Sequence, residues 1–152
     1  MKKIVKRLQA STFCHATESE EKVLTALLNI APSSLRSELK DKIVKNIVYG
    51  YHGNPIIYYK LDIDEQKKAQ EISKYILSSL DGFDSSQIKE TLDLRFNRGK
   101  LHLRLDKQDA YLDKLRISEG DDVIRITISF YPHIRKRDAL INALTSMGLK
   151  DA

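Results

Sequence analysis

Residues 42–63 read KIVKNIVYGYHGNPIIYYKLDI. Two runs rich in β-branched and aromatic residues flank a centre that holds Gly50, Gly53, Asn54 and Pro55. The first run puts Ile43, Ile47 and Tyr49 on one side, and the second puts Ile57, Tyr59, Leu61 and Ile63 on one side. Alternation on both sides of turn residues predicts a hairpin with a somewhat long turn. Gly50 and Gly53 permit positive φ, and Pro55 opens the second strand where its missing amide matters least. The turn explains the glycines and the proline. It leaves His52 and Asn54 at its tip as candidates for touching a partner.

Other segments carry the same strand signal. LHLRL (101–105) sends Leu101, Leu103 and Leu105 inward and His102 and Arg104 outward. Residues Val123–Tyr131 bury Ile124, Ile126, Ile128 and Phe130, and Pro132 stops them. The first strand, within 2–13, alternates imperfectly. Ile4, Leu8 and Ala10 fall on one side and Val5 and Phe13 on the other, which predicts a bulge or bend.

Helices fill the intervals. Thr17 and Glu20 read as a capping box before the stripe Val23, Leu24, Leu27, Leu28 and Ala31, and Pro32 ends that helix. Residues 33–42 are polar and read as a loop or a single helical turn. Asp64 caps the clearest helix, with Ala69, Ile72, Ile76 and Leu80 in period, and Gly82 suits the left-handed residue beyond its end. A shorter helix covers Ser85–Leu94, and Asp106 caps a turn or short helix. The last helix uses Ala139, Leu140, Ala143, Leu144 and Met147 and ends at Gly148.

The order is β-α-β-β-α-α-β-turn-β-α. Hairpins and half-buried strands imply a mainly antiparallel sheet with one face open to water, and helices packed on the other face give an α+β fold. The 152 residues suit one domain, 1–152, which buries about 70% of its unfolded surface and needs no disulfide or metal to fold. The one cysteine, Cys14, cannot form an intrachain disulfide. MKKIVKRLQA is basic but lacks the apolar run of a signal peptide, and no stretch approaches the ~18 apolar residues of a membrane helix. The expected protein is cytoplasmic, with no membrane partner.

Catalytic chemistry finds little support. Cys14 and His15 are adjacent on a strand and point to opposite faces, so they do not form a thiolate–imidazole pair. The four histidines, His15, His52, His102 and His133, have no metal-ligand spacing, and no phosphate-loop motif is present. No catalytic residue, cofactor or metal is expected. The one arrangement that would revive catalysis is convergence of His15, His52 and Asp106.

Charge is more informative. The formal net charge is +5, which favours polyanionic partners. Three basic clusters stand out: Lys2, Lys3, Lys6 and Arg7; Arg95, Arg98, Lys100, Arg104 and Lys107; and Arg135, Lys136 and Arg137. The last begins a helix, where cations oppose the dipole at some cost in stability.

Four segments in combination, TFCHATESEEKVLTALLNI, GYHGNPI, LHLRLDKQDAYLDKL and DDVIRITISFYP, resemble an archaeal family of predicted exosome subunits and RNA-binding proteins related to the double-stranded-RNA-binding-domain fold. The resemblance spans nearly the whole chain. It implies a fold like that of the ribosomal protein that binds 5S rRNA, an archaeal source and a role in RNA processing. It carries no catalytic residues. The expected function is a non-enzymatic accessory protein that contacts structured or double-stranded RNA. The candidate contacts are Lys6, Arg7, His52, Asn54, Arg95, Arg98, Lys100, Arg104, Lys107, Arg135, Lys136 and Arg137, with other RNA-processing proteins as further partners. The competing reading is a protein-interaction or homodimeric scaffold, with Tyr49, Tyr58 and Tyr59 on an open sheet surface.

Overall fold

A computed structural model describes residues 2–151. In chain order its elements are β1 (Val5–Cys14), α1 (Glu20–Leu28), α2 (Ser33–Lys40), β2 (Val44–Tyr49), β3 (Pro55–Ile63), α3 (Gln66–Ser79), α4 (Gly82–Glu90), α5 (Leu92–Arg95), β4 (Phe96–Asn97), β5 (Lys100–Asp106), α6 (Lys107–Tyr111), β6 (Val123–Phe130) and α7 (Arg137–Ser146). The strands form one sheet in the order β2-β3-β1-β6-β5-β4, with every neighbouring pair antiparallel. The expected α+β class and antiparallel sheet are what the chain adopts. None of the helices is long and apolar enough to cross a membrane among the described residues.

β1 is interior and organises the sheet. Leu8, Ala10, Thr12 and Cys14 are buried beneath the helices, whereas Phe13 is exposed on the other face. The expected bulge lies at Lys6. Val5 pairs with Phe130 and Arg7 with Ser129, so Lys6 is one residue extra. The bulge lets Val5 and Leu8 both enter the core. α3 satisfies the backbone there. Gln70 Oε1 accepts from the amides of Ile4 (2.7 Å) and Val5 (3.1 Å), and Gln66 Nε2 donates to the Val5 carbonyl at 3.1 Å. These glutamines meet the backbone groups that the irregular pairing would otherwise leave without partners. The α3 stripe, Ala69, Ile72, Ile76 and Leu77, is fully buried against this sheet face.

Local signals moved in four places. α1 is capped by Ser19, whose hydroxyl accepts from the Lys22 amide, not by Thr17. Glu20 leaves the cap because its carboxylate accepts from Tyr59 and pairs with Lys45. The 33–42 segment is the two-turn helix α2, because Leu39 at the end of its short apolar stripe is fully buried. α3 starts after Glu65, which makes no side-chain cap bond. Gly82 begins α4 rather than ending α3, with Asp81 accepting from the Asp84 amide. Gly148 does take the left-handed conformation, at φ 104°.

The 42–63 hairpin forms as expected. The Gly50 amide donates to the Asn54 carbonyl (2.8 Å) and the Gly53 amide to the Gly50 carbonyl (2.9 Å). β2 is the sheet edge, and all six of its residues are exposed. Tyr59 is a correction to the expected surface tyrosines. It is buried on the helix side, where its hydroxyl donates to Glu20.

Candidate nucleic-acid interface

The strand register fixes what the open face presents. Leu101, Leu103, Leu105, Ile124, Ile126 and Ile128 point into the core. The residues between them therefore face water. Reading across the sheet, one row runs Arg104, Arg125, Ser11, Lys60. A second runs His102, Thr127, Gln9, Asp62, and a third Lys100, Ser129, Arg7, in which Ser129 is itself buried. The surface is cationic, with Asp62 its acidic member among these positions.

Arg104 and Arg125 are directly opposite on adjacent strands. Like charges so placed destabilise a sheet. Their compensation is thin. Arg104 reaches the Gly120 carbonyl and lies 3.8 Å from Asp121, whose side chain is fully exposed. Arg104 Nε is the one buried side-chain nitrogen or oxygen without a hydrogen-bond partner among the described residues. Arg125, Lys60 and Lys100 have no ion pair among the described residues.

The turn from β4 to β5 adds strained cationic backbone. Arg98 and Gly99 connect the pair Asn97–Lys100, with φ of 54° and 77°. Positive φ at both central residues is the hairpin geometry that favours Asn or Gly, and a residue with Cβ costs about 1–2 kcal/mol there. Arg98 is exposed and bears that cost.

The structure separates the candidate residues. Lys100 and Arg104 share the open face with Arg7, and Lys6 is exposed at the bulge beside it. Arg7 is already engaged by Asp62 through two hydrogen bonds, one of 2.8 Å from Nε. That pairing holds the Asp62 carboxyl below its ordinary range. Arg135, Lys136 and Arg137 belong to the helix layer, where Arg137 donates to the Lys89 carbonyl (3.1 Å) and approaches Asp93 at 3.5 Å. His52 and Asn54 sit at the exposed hairpin tip. Asn54 is accounted for by its carbonyl in the turn, and His52 stacks edge-on against Tyr51 at 5.0 Å.

Two candidates are committed to the interior. Arg95 is buried, donating to Thr91 (2.6 Å) and Glu119 (3.0 Å). Lys107 is 3% exposed, and its ammonium contacts Glu18 (2.9 Å), Asp122 (2.7 Å) and the Phe13 carbonyl (2.8 Å). Burial disfavours that charge, but the Asp122 and Glu18 hydrogen bonds outweigh it and raise the Lys107 pKa. Gln108 adds a 2.9 Å bond to Asp122, and Glu18 accepts from the His15 amide at 3.0 Å. The HATE, LDKQ and DDVI segments thus meet in one polar knot.

His15, His52 and Asp106 do not assemble a site. A cavity of about 360 Å³ is lined by His15, Thr17, Glu18, Gln108, Asp121 and Asp122 and includes neither of the other two. Asp106 caps α6, accepting from the Asp109 amide at 2.8 Å. Cys14 is buried, and burial raises its thiol pKa, which disfavours a thiolate. Among the described residues no cluster of three His, Cys, Asp or Glu side chains could hold a metal.

The positions missing from the sequence expectation are Arg125 and Lys60. Each is a basic residue at an outward position of a strand whose inward positions are apolar, in VIRITISF and in PIIYYKLDI. That outward position was the available signal, but only register shows that both join the Arg104 row.

A family model described as RNA binding matches residues 7–130. The chain belongs to this RNA-binding family. The matched span begins at Arg7 and ends with β6, so it contains nearly the whole sheet. Relatives are archaeal. Uncharacterized protein MJ0213 of Methanocaldococcus jannaschii is 37% identical over 125 residues, covering 81% of this chain and 83% of its own. RNA-binding protein PAB1135 of Pyrococcus abyssi is 30% identical over 139 residues, covering 90% of this chain and 89% of its own. Among solved structures, protein AF2318 from Archaeoglobus fulgidus, of the DUF54 family, superposes with a TM-score of 0.75 at 26% identity, covering 94% of this chain and 99% of that one. AF2318 therefore shares the α+β fold of this chain.

Proposed function

We propose that this member of the RNA-binding family is a non-enzymatic, single-domain cytoplasmic accessory protein that holds structured RNA against the open sheet face. The observation that carries the proposal is the Arg104–Arg125 pair. Two arginines are paired residue to residue across β5 and β6, and Arg104 has a buried, unpartnered Nε. A bound phosphate between them would relieve the repulsion and supply acceptors to both planar donor forks. Lys60, Lys100 and Arg98 extend the cationic track, and contacts of this kind follow RNA shape more than sequence. The setting we favour is RNA processing, including association with the exosome, on the strength of the sequence resemblance. Arg95 and Lys107 are excluded from the contact set, because both are buried in internal ion pairs.

Fluorescence anisotropy of a labelled RNA stem-loop at several salt concentrations tests the proposal. Affinity is expected to fall steeply with salt, and Arg104→Glu or Arg125→Glu is expected to abolish binding at moderate salt. Removing one phosphate contact by Arg125→Ser should lower the salt slope by about 1. Binding that ignores both charge reversals would overturn it.

A further inference from the structure

Resting on the RNA-contact reading above, we infer that Phe13 and Tyr58 form a stacking platform for an unpaired base beside the phosphate track. They are direct cross-strand partners on β1 and β3, with ring centroids 4.9 Å apart and planes tilted by 43°. β1 is interior, with β3 on one side and β6 on the other. Phe13 is nevertheless 38% exposed. A cross-strand aromatic pair explains why the rings touch each other. It does not explain an apolar ring left open to water near the end of β1, just past the last β6 pair at Ser11.

The surroundings are those of a base-binding surface. The next outward residues along the two strands are Ser11 and Lys60, which face each other, and Ser11 faces Arg125 on its other side. Same-face residues on a strand are about 7 Å apart. A base lying on Phe13 and Tyr58 would therefore leave its phosphate near Lys60 and Arg125. Asn46 lies opposite Tyr58 on β2 and is exposed, offering an amide to a base edge. Sheet proteins that read single-stranded RNA stack bases on aromatics in this way, and every base has a face to stack. The ligand class is thus a structured RNA with an unpaired nucleotide at a loop, bulge or tail.

The test uses one labelled stem carrying either a short unpaired tail or the same tail with abasic sites. The wild-type protein should prefer the intact tail by about 10-fold, the contribution of one stacked base. Phe13→Ala should bind intact and abasic tails alike, and Phe13→Tyr should keep the preference. Equal wild-type affinity for the two tails, or an unchanged preference in Phe13→Ala, would overturn the platform while leaving phosphate binding intact. Failure of wild type to bind either RNA at low salt overturns the platform together with the RNA reading beneath it. The abasic comparison needs no variant, so it does not depend on how Phe13→Ala folds.

Discussion

Lys107 and Glu18 form an ion pair at 2.9 Å that joins the first residue of α6 to the turn after β1. They are separated by 89 positions in the chain. Asp122, the residue before β6, completes the link at 2.7 Å. Lys107 is buried and its carboxylate partners are partly exposed, so losing the lysine leaves two half-hydrated charges unpaired. Lys107→Met is therefore expected to destabilise the protein by about 3 kcal/mol in urea unfolding, and adding Glu18→Gln should recover part of the loss. An unchanged midpoint in Lys107→Met would remove this pairing from the account of stability.

Acid should unfold the protein from the carboxylate side. Hydrogen bonds from Arg7 depress the Asp62 pKa, and those from Lys45 and Tyr59 depress that of Glu20. At Asp122 burial opposes ionisation, but the Lys107 and Gln108 bonds prevail and lower the pKa. A depressed folded pKa contributes stability that is full above the unfolded value, near pH 4, and is lost as pH falls through the folded value. Urea midpoints should thus hold down to about pH 5 and fall steeply below about pH 4. Asp62→Asn should show a shallower fall.

Arg125 should be worth more to RNA binding than to the fold. Arg125→Ser removes the like charge facing Arg104 and is expected to stabilise the protein by a few tenths of a kcal/mol, up to about 1. The same change should weaken RNA binding. Thermal melts and anisotropy on one preparation would show the two effects moving in opposite directions. A stability loss would mean that Arg125 is held by the sheet itself.

Two glycines separate backbone strain from crowding. Gly53 has φ 77° with open space where a methyl group would stand, so Gly53→Ala should cost about 1 kcal/mol from conformation alone. At Gly148, φ is 104° and an added Cβ would lie 2.6 Å from the Ser78 Cβ. Gly148→Ala should cost about 3 kcal/mol, since α7 must shift away from α3 as well. Calorimetric melting of both variants checks the order.

Much of the sheet was legible because its strands alternate strictly. Leu101, Leu103 and Leu105, like Ile124, Ile126 and Ile128, declare their inner face by period alone. α2 was hidden because a two-turn helix shows only Leu35 and Leu39 of a stripe. Thr17 and Ser19 are both good cap residues, and the choice depends on where Glu20 finds Tyr59, a contact 39 positions away. Asp81-Gly82 could equally end one helix or begin the next, and α4 decides it. The site was less legible than the fold for a related reason. A lysine in a basic run looks the same whether it is solvated, like Lys100, or buried, like Lys107. That difference arises only when Glu18 and Asp122 arrive from elsewhere in the chain.

The bulge at Lys6 acts as a phase reset for the first strand. If Lys6 were paired in a regular ladder instead of bulged, uninterrupted alternation from Val5 would send Arg7 inward and Leu8 to water. Which side receives the Arg7 charge is therefore set by an interruption one residue upstream, not by the chemistry of arginine. Deleting Lys6 would close the bulge and leave Val5, Arg7 and Leu8 in simple alternation, with Arg7 still outward. The charge map of the open face depends on counting as much as on residue type.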